Sequence, residues 1–128
     1  MSRMLKTVLA LGAAAMMTIT PVLAKDLGVY QTTDRKMDFQ LSTCAGDALC
    51  VKLLAARGSA KTWQTKPYIG KLVINKAQAT GKNRWSGTMH FGQYDLAGSM
   101  TLEPGRIFVV SGCAYLVICQ DINLIPAR

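Results

Sequence analysis

Residues that carry chemistry are scarce in this 128-residue chain. It has one histidine, His90, and its seven carboxylates, Asp26, Asp34, Asp38, Asp47, Asp95, Glu103 and Asp121, are scattered singly. General acid–base and nucleophilic catalysis both need groups held within hydrogen-bond reach of one another. No spacing here nominates such a set, so the chain is read as a non-enzyme with no catalytic residue and no cofactor. The four cysteines lack the C-x-x-C spacing that lowers a thiol pKa, and no second ligand cluster accompanies them as a zinc site would require. No metal site is expected. Thr80-Gly81-Lys82-Asn83 echoes the end of a phosphate loop but lacks the upstream glycine and the helix that make one work, so it reads as a hairpin turn. Low-complexity tracts, charge blocks of five or more and helix-period patterns are missing after residue 24.

What is present begins with Arg3 and Lys6, an apolar run over 8–19 broken by Gly12 and Thr18, then Pro21 and Val22-Leu23-Ala24. This is the order of a secretory signal peptide, with cleavage expected after Ala24. The run falls short of the roughly 20 apolar residues that span a bilayer, so no integral membrane segment is expected after cleavage. The leader is therefore 1–24 and a single domain occupies 25–128. Of the 15 basic residues, removal of Arg3 and Lys6 leaves 13 against 7 acidic, a formal charge of +6. A basic exported monomer can meet anionic lipid, acidic glycan or an anionic metabolite. Its compartment disfavours nucleic acid.

The mature stretch is a train of short alternating or aliphatic segments separated by turn residues, the spacing signal of an all-β sandwich or barrel. Eight strands are predicted, at 27–33, 36–43, 49–56, 70–76, 83–90, 94–102, 106–112 and 119–125, with a long polar loop from Arg57 to about Pro67. In the second, Met37, Phe39 and Leu41 alternate with Asp38, Gln40 and Ser42, the period of a half-buried strand. Short connections imply antiparallel hairpins, and eight such strands close most economically into an up-and-down barrel without free edges. A sandwich of seven or eight strands is the alternative. Parity puts Trp85, Gly87 and Met89 on one face of the fifth strand, and Tyr94, Leu96, Gly98, Met100 and Leu102 on one face of the sixth. Those faces carry no charge. The interior is thus predicted apolar, either packed solid or holding a narrow dry pocket.

Strand order also decides the disulfides. In an up-and-down barrel the loop holding Cys44 and Cys50 lies at the opposite end from the loop holding Cys113 and Cys119, about 20 Å away. A disulfide spans at most about 7 Å between Cα atoms. The predicted pairs are therefore Cys44 with Cys50 and Cys113 with Cys119, each stabilising by about 2 kcal/mol. Such bridges fit the oxidising space outside the cytoplasm.

The ordered set Gly28-Val29-Tyr30, TCAGDALC, KPYIGKLVI, NRWSG, GQYDLAGSMTL and VSGCAYLVICQ resembles a bacterial exported family called domain of unknown function 2147. The likeness covers nearly all of 25–128. It implies a small lipocalin-like barrel, periplasmic or secreted, with no established activity. The chain departs from the pattern at Tyr30 and Leu124, where tryptophans are usual, and in a third-to-fourth loop without the family's Asp/Asn-rich segment.

The same topology gathers Arg35, Lys36, Arg57, Lys61, Trp63, Lys66, His90, Phe91 and the stapled tip 114–118 at one end of the barrel. This end is read as the mouth of a site for a small apolar or amphiphilic ligand. Its candidate contacts are Arg35, Arg57, Lys61, Trp63, Lys66, Phe91, Tyr115 and Leu116. Trp85 is assigned to the core and His90 to a solvated rim. The alternative is an interaction or inhibitor module that engages an envelope protein through Tyr115, Trp63 and Arg57, residue types common at binding hot spots. Binding of an anionic membrane or envelope polymer through the basic charge is a third reading.

Overall fold

In a computed structural model, residues 25–91, 94–114 and 118–127 are described, with backbone alone for Tyr94 and Ile118. The predicted leader 1–24 and the tip residues Tyr115 and Leu116 lie outside the described residues. Eight antiparallel strands form a closed barrel in chain order. They are β1 (Asp26–Thr32), β2 (Met37–Cys44), β3 (Ala48–Ala56), β4 (Leu72–Gly81), β5 (Arg84–Phe91), β6 (Tyr94–Glu103), β7 (Ile107–Ala114) and β8 (Ile118–Pro126). Closure comes from β1 against β8, where Tyr30, Gln31 and Thr32 pair with Pro126, Ile125 and Leu124. The up-and-down barrel read from the strand train is the observed architecture, and the sandwich is not.

Alternation works as the period-2 rule demands. Phe39 and Leu41 of β2, Leu49, Val51 and Leu53 of β3, Trp85 and Met89 of β5, Leu96, Met100 and Leu102 of β6, and Phe108 and Val110 of β7 are all buried in one apolar cluster. Among the described residues no polar or charged residue is buried. Trp85, Met89, Leu96 and Met100 fill the interior between the walls, and Tyr30 meets Phe108 at a ring separation of 6.5 Å. The Tyr30 hydroxyl accepts a hydrogen bond from the Gly105 N–H at 2.9 Å, tying the β6–β7 turn to the strand that closes the cylinder.

Most strand ends fall within a residue or two of the prediction, and the fourth strand and the long loop depart most. β4 was expected over 70–76 but runs Leu72–Gly81, because Lys76 takes a left-handed φ of 59° and the register shifts there. A first irregularity against β3, where Leu72 and Ile74 oppose the adjacent Lys52 and Val51, leaves Val73 and Ile74 both inside, and the one at Lys76 delays pairing with β5 until Gln78, so the alternation that marks a strand in sequence is broken twice. The long loop is not structureless. It holds two short 3-10 turns, Gly58–Ala60 and Lys66–Tyr68, the second with Pro67 inside it.

Both disulfides have the predicted pairing, Cys44 with Cys50 and Cys113 with Cys119. The second joins residues that are direct cross-strand partners of β7 and β8. The first lies diagonally across the β2–β3 hairpin, where Cys44 opposes Ala48 and Cys50 opposes Ser42. Among the described residues no helix is long and apolar enough to cross a membrane.

Candidate functional site

Up-and-down topology sorts the connections into two ends. One end carries the β1–β2, β3–β4, β5–β6 and β7–β8 loops, and the other carries the start of β1 with the β2–β3, β4–β5 and β6–β7 turns.

The first end is the one read from sequence as a basic mouth. Arg57 is committed there. Its guanidinium donates to both oxygens of Asp38 at 2.9 and 2.7 Å, and to the Arg35 carbonyl at 2.8 Å. That pairing holds the Asp38 carboxyl below its ordinary value and raises the Arg57 guanidinium above its own. Arg35 donates to the Gln31 side chain at 2.6 Å, so it too is engaged with its neighbours. Phe91 is half-buried, edge-on to Phe39 at 6.4 Å and to Tyr68 at 5.6 Å. Tyr68, Ile69, Met37 and Phe91 pack on the core, so side chains of the long loop cover the barrel at this end. Lys61, Trp63 and Lys66 are exposed, Trp63 at 79 %. His90 faces Asp95 across β5 and β6, Nδ1 to Oδ1 at 3.0 Å, with both side chains largely in solvent.

A concavity lies at the second end. A half-open pocket of about 430 Å³ is lined by Lys25, Leu27, Thr43, Asp47, Ala79, Gly81, Lys82, Asn83 and Trp85. None of the residues nominated from sequence lines it. Its location follows from three local features. β1 begins at this end, which brings Lys25 and Leu27 to the β2 terminus, and the Lys25 N–H donates to the Thr43 hydroxyl at 2.8 Å. The β4–β5 hairpin turns on Lys82 and Asn83, the latter at φ 57°, and both residues line the pocket. Trp85 sits just inside, its indole N–H donating to the Asp47 carbonyl at 2.9 Å. One indole thus braces the β2–β3 turn while an edge of its ring faces the cavity. The Cys44–Cys50 bridge closes that same hairpin.

The pocket combines an apolar wall of Leu27, Ala79 and Trp85 with hydroxyl and amide groups from Thr43 and Asn83. Two ammonium groups, Lys25 and Lys82, and one carboxylate, Asp47, stand at its exposed rim. Sequence reading assigned Trp85 to the core, Lys82 to a hairpin turn and Asp47 to the scattered carboxylates. The signal that finds the site is topological: the start of β1 and the even-numbered connections share one end, so Lys25 joins Lys82 and Asp47 there. A second, shallower groove of about 370 Å³ runs over the outer wall between Ala97, Ser99, Ser111, Cys113, Cys119 and Asp121. Among the described residues no group of three or more histidine, cysteine or acidic side chains is placed to hold a metal ion.

No family model, no curated protein and no solved structure matches this chain.

Proposed function

We propose that the protein is an exported binding barrel, not an enzyme, that takes a small amphiphilic molecule with an anionic group in the pocket beside Trp85. The observation that carries this is the cavity of about 430 Å³ with an aromatic and aliphatic wall under a rim of two lysines. Concave, mostly apolar sites with a few placed polar groups are where small molecules bind. Apolar surface removed from water there contributes about 25 cal/mol per Å², while Lys25 and Lys82 orient the anionic head. Asp47 on the same rim disfavours ligands carrying two or more negative charges. The packed interior supports a ligand seated at the barrel end and not along its axis. The two disulfides fit an oxidising compartment, and the bacterial periplasm or exterior is the proposed location. Membership of the family called domain of unknown function 2147 is part of the same proposal.

The test uses 1-anilinonaphthalene-8-sulfonate, an aromatic sulfonate, titrated into the Trp63→Phe variant so that Trp85 is the sole donor of energy transfer. Saturable binding at one site is expected, weakened severalfold by Lys82→Glu and abolished by Ala79→Phe, which fills the cavity without adding a donor. Binding that is indifferent to Ala79→Phe in a folded variant would refute the assignment.

A further inference from the structure

The long loop 57–71 holds its one tryptophan away from the protein, and it does so by construction. At its start, Arg57 is clamped to Asp38 and to the Arg35 carbonyl, its N–H donates to the Lys36 carbonyl, and the Lys36 ammonium donates to the Ser59 hydroxyl. In the middle, the Thr65 hydroxyl donates to the Ala60 carbonyl at 2.6 Å and accepts the Thr62 N–H at 2.9 Å. The Lys66 N–H returns to the Thr62 carbonyl at 2.9 Å, so residues 62–66 form a closed turn with Trp63 near its apex. At its end, Tyr68 and Ile69 are seated on the core, with Tyr68 against Phe91. A loop braced at both ends and across its middle has paid its ordering entropy already, yet Trp63 remains 79 % exposed. Among the described residues it is the most exposed of the three large apolar side chains that face solvent, the others being Leu54 and Leu72.

Charge along this loop has one sign. Residues 57–71 contain Arg57, Lys61, Lys66 and Lys71 and no carboxylate. Asp38 is taken by Arg57, and the ion pairs among the described residues involve neither Lys61 nor Lys66. Both lysines are exposed on the turn that carries Trp63.

We propose that this turn docks the protein on an anionic phospholipid surface, with Trp63 at headgroup level and Lys61 and Lys66 against the phosphates. An indole has an apolar body and a polar N–H, and it concentrates at membrane interfaces for that reason. Juxtaposed lysines add attraction to an anionic leaflet. A single projecting ring with two mobile ammonium groups presents far less than the roughly 800 Å² per partner that a stable protein interface buries. It suits a surface that yields around the ring. The pocket at the opposite end then faces away from the membrane, open to its ligand.

The experiment floats the purified disulfide-bonded protein with vesicles of phosphatidylcholine alone or with about 30 % phosphatidylglycerol, at low and at high salt. Flotation with the anionic vesicles alone is expected, with a blue shift of tryptophan emission that is absent in Trp63→Phe. Raising salt from about 0.05 to 0.5 M should release the protein by about tenfold or more, since screening shortens the reach of exposed charges. Trp63→Ala and the pair Lys61→Glu with Lys66→Glu should each cut binding at least about fivefold while leaving the urea midpoint unchanged, because these side chains are exposed. Equal flotation with both vesicle types overturns the proposal, as does the absence of flotation. So does wild-type binding by Trp63→Ala together with full displacement by soluble polyglutamate, which would mark a charge-only affinity for acidic protein.

Discussion

Glycine at position 98 is the most exacting requirement in the barrel wall. Gly98 of β6 is paired with Gly87 of β5 on one side and with Gly112 of β7 on the other, so three inward-facing glycines lie in one row. A Cβ at 98 would stand 2.6 Å from the Gly112 Cα and 2.9 Å from the Ser111 carbonyl carbon, and closer still to the Ser111 oxygen. Real Cβ contacts essentially never fall below 3.0 Å, and all three atoms are backbone, so no side chain can rotate away. Gly98→Ala must push β7 outward and loosen a ladder that runs from Ala97 paired with Cys113 to Glu103 paired with Ile107. Overpacking costs about 1–3 kcal/mol where side chains yield, and here the upper end or more is expected, about 3 kcal/mol. With a urea slope of about 1–3 kcal/mol per M, the midpoint should fall by about 1–3 M. Gly87→Ala is the internal control, since its Cβ would meet the Ala77 Cβ at 3.0 Å and its Cα at 3.1 Å. It should destabilise less, by about 1 kcal/mol, and its cost should shrink in an Ala77→Gly background. Equilibrium unfolding with both disulfides intact measures all four variants. A Gly98→Ala unfolding free energy within about 0.5 kcal/mol of wild type would mean that β6 and β7 do not share this register.

Other outcomes follow from single contacts. Arg57 holds the Asp38 carboxyl below its ordinary value, chiefly through their hydrogen bond, so the stability this contributes is full above the unfolded pKa near 4 and is lost as pH falls through the lower folded pKa. Asp38→Asn should therefore flatten the acid limb of a melting-temperature profile below about pH 4, while leaving its slope above pH 5 unchanged. Peptide mapping under non-reducing conditions should recover Cys44 with Cys50 and Cys113 with Cys119, and Cys44→Ser with Cys50→Ser should cost about 2 kcal/mol in urea. Trp85→Phe keeps the apolar bulk but leaves the Asp47 carbonyl without its indole donor, so a loss of about 1 kcal/mol is expected, together with weaker dye binding at the pocket. Amino-terminal sequencing of the exported protein should begin at Lys25.

The strand train was legible because an antiparallel wall with one dry face must alternate, and β2, β5, β6 and β7 do so without interruption. β4 was legible only at its start. Its left-handed Lys76 inserts an extra residue, and nothing in Asn75-Lys76-Ala77-Gln78 marks a bulge, which exists to let Ala77 meet Gly87 across the wall. Of the candidate site, the sequence showed only loop composition. Counting cations in loops put the weight on Arg35 and Arg57, but Arg57 forms a bidentate pair with Asp38 from a neighbouring strand, a contact fixed by register that no count of charges can show. Phe91 likewise seals the end it was expected to open, because Tyr68 returns from the long loop to cover it.

Composition and periodicity alone determined that this chain forms an apolar-centred antiparallel barrel with two local sulfur bridges, since side-chain parity and a bridge's short reach are local constraints. Tertiary structure decided where the pocket beside Trp85 lies. A pocket is the space left when several separate segments fail to touch, and the gap between Lys25, Asp47, Lys82 and Trp85 depends on how far each strand overshoots its neighbour. Overshoot is set by register and bulges summed around the closed cylinder, so it is a property of the whole wall and of no single stretch of residues.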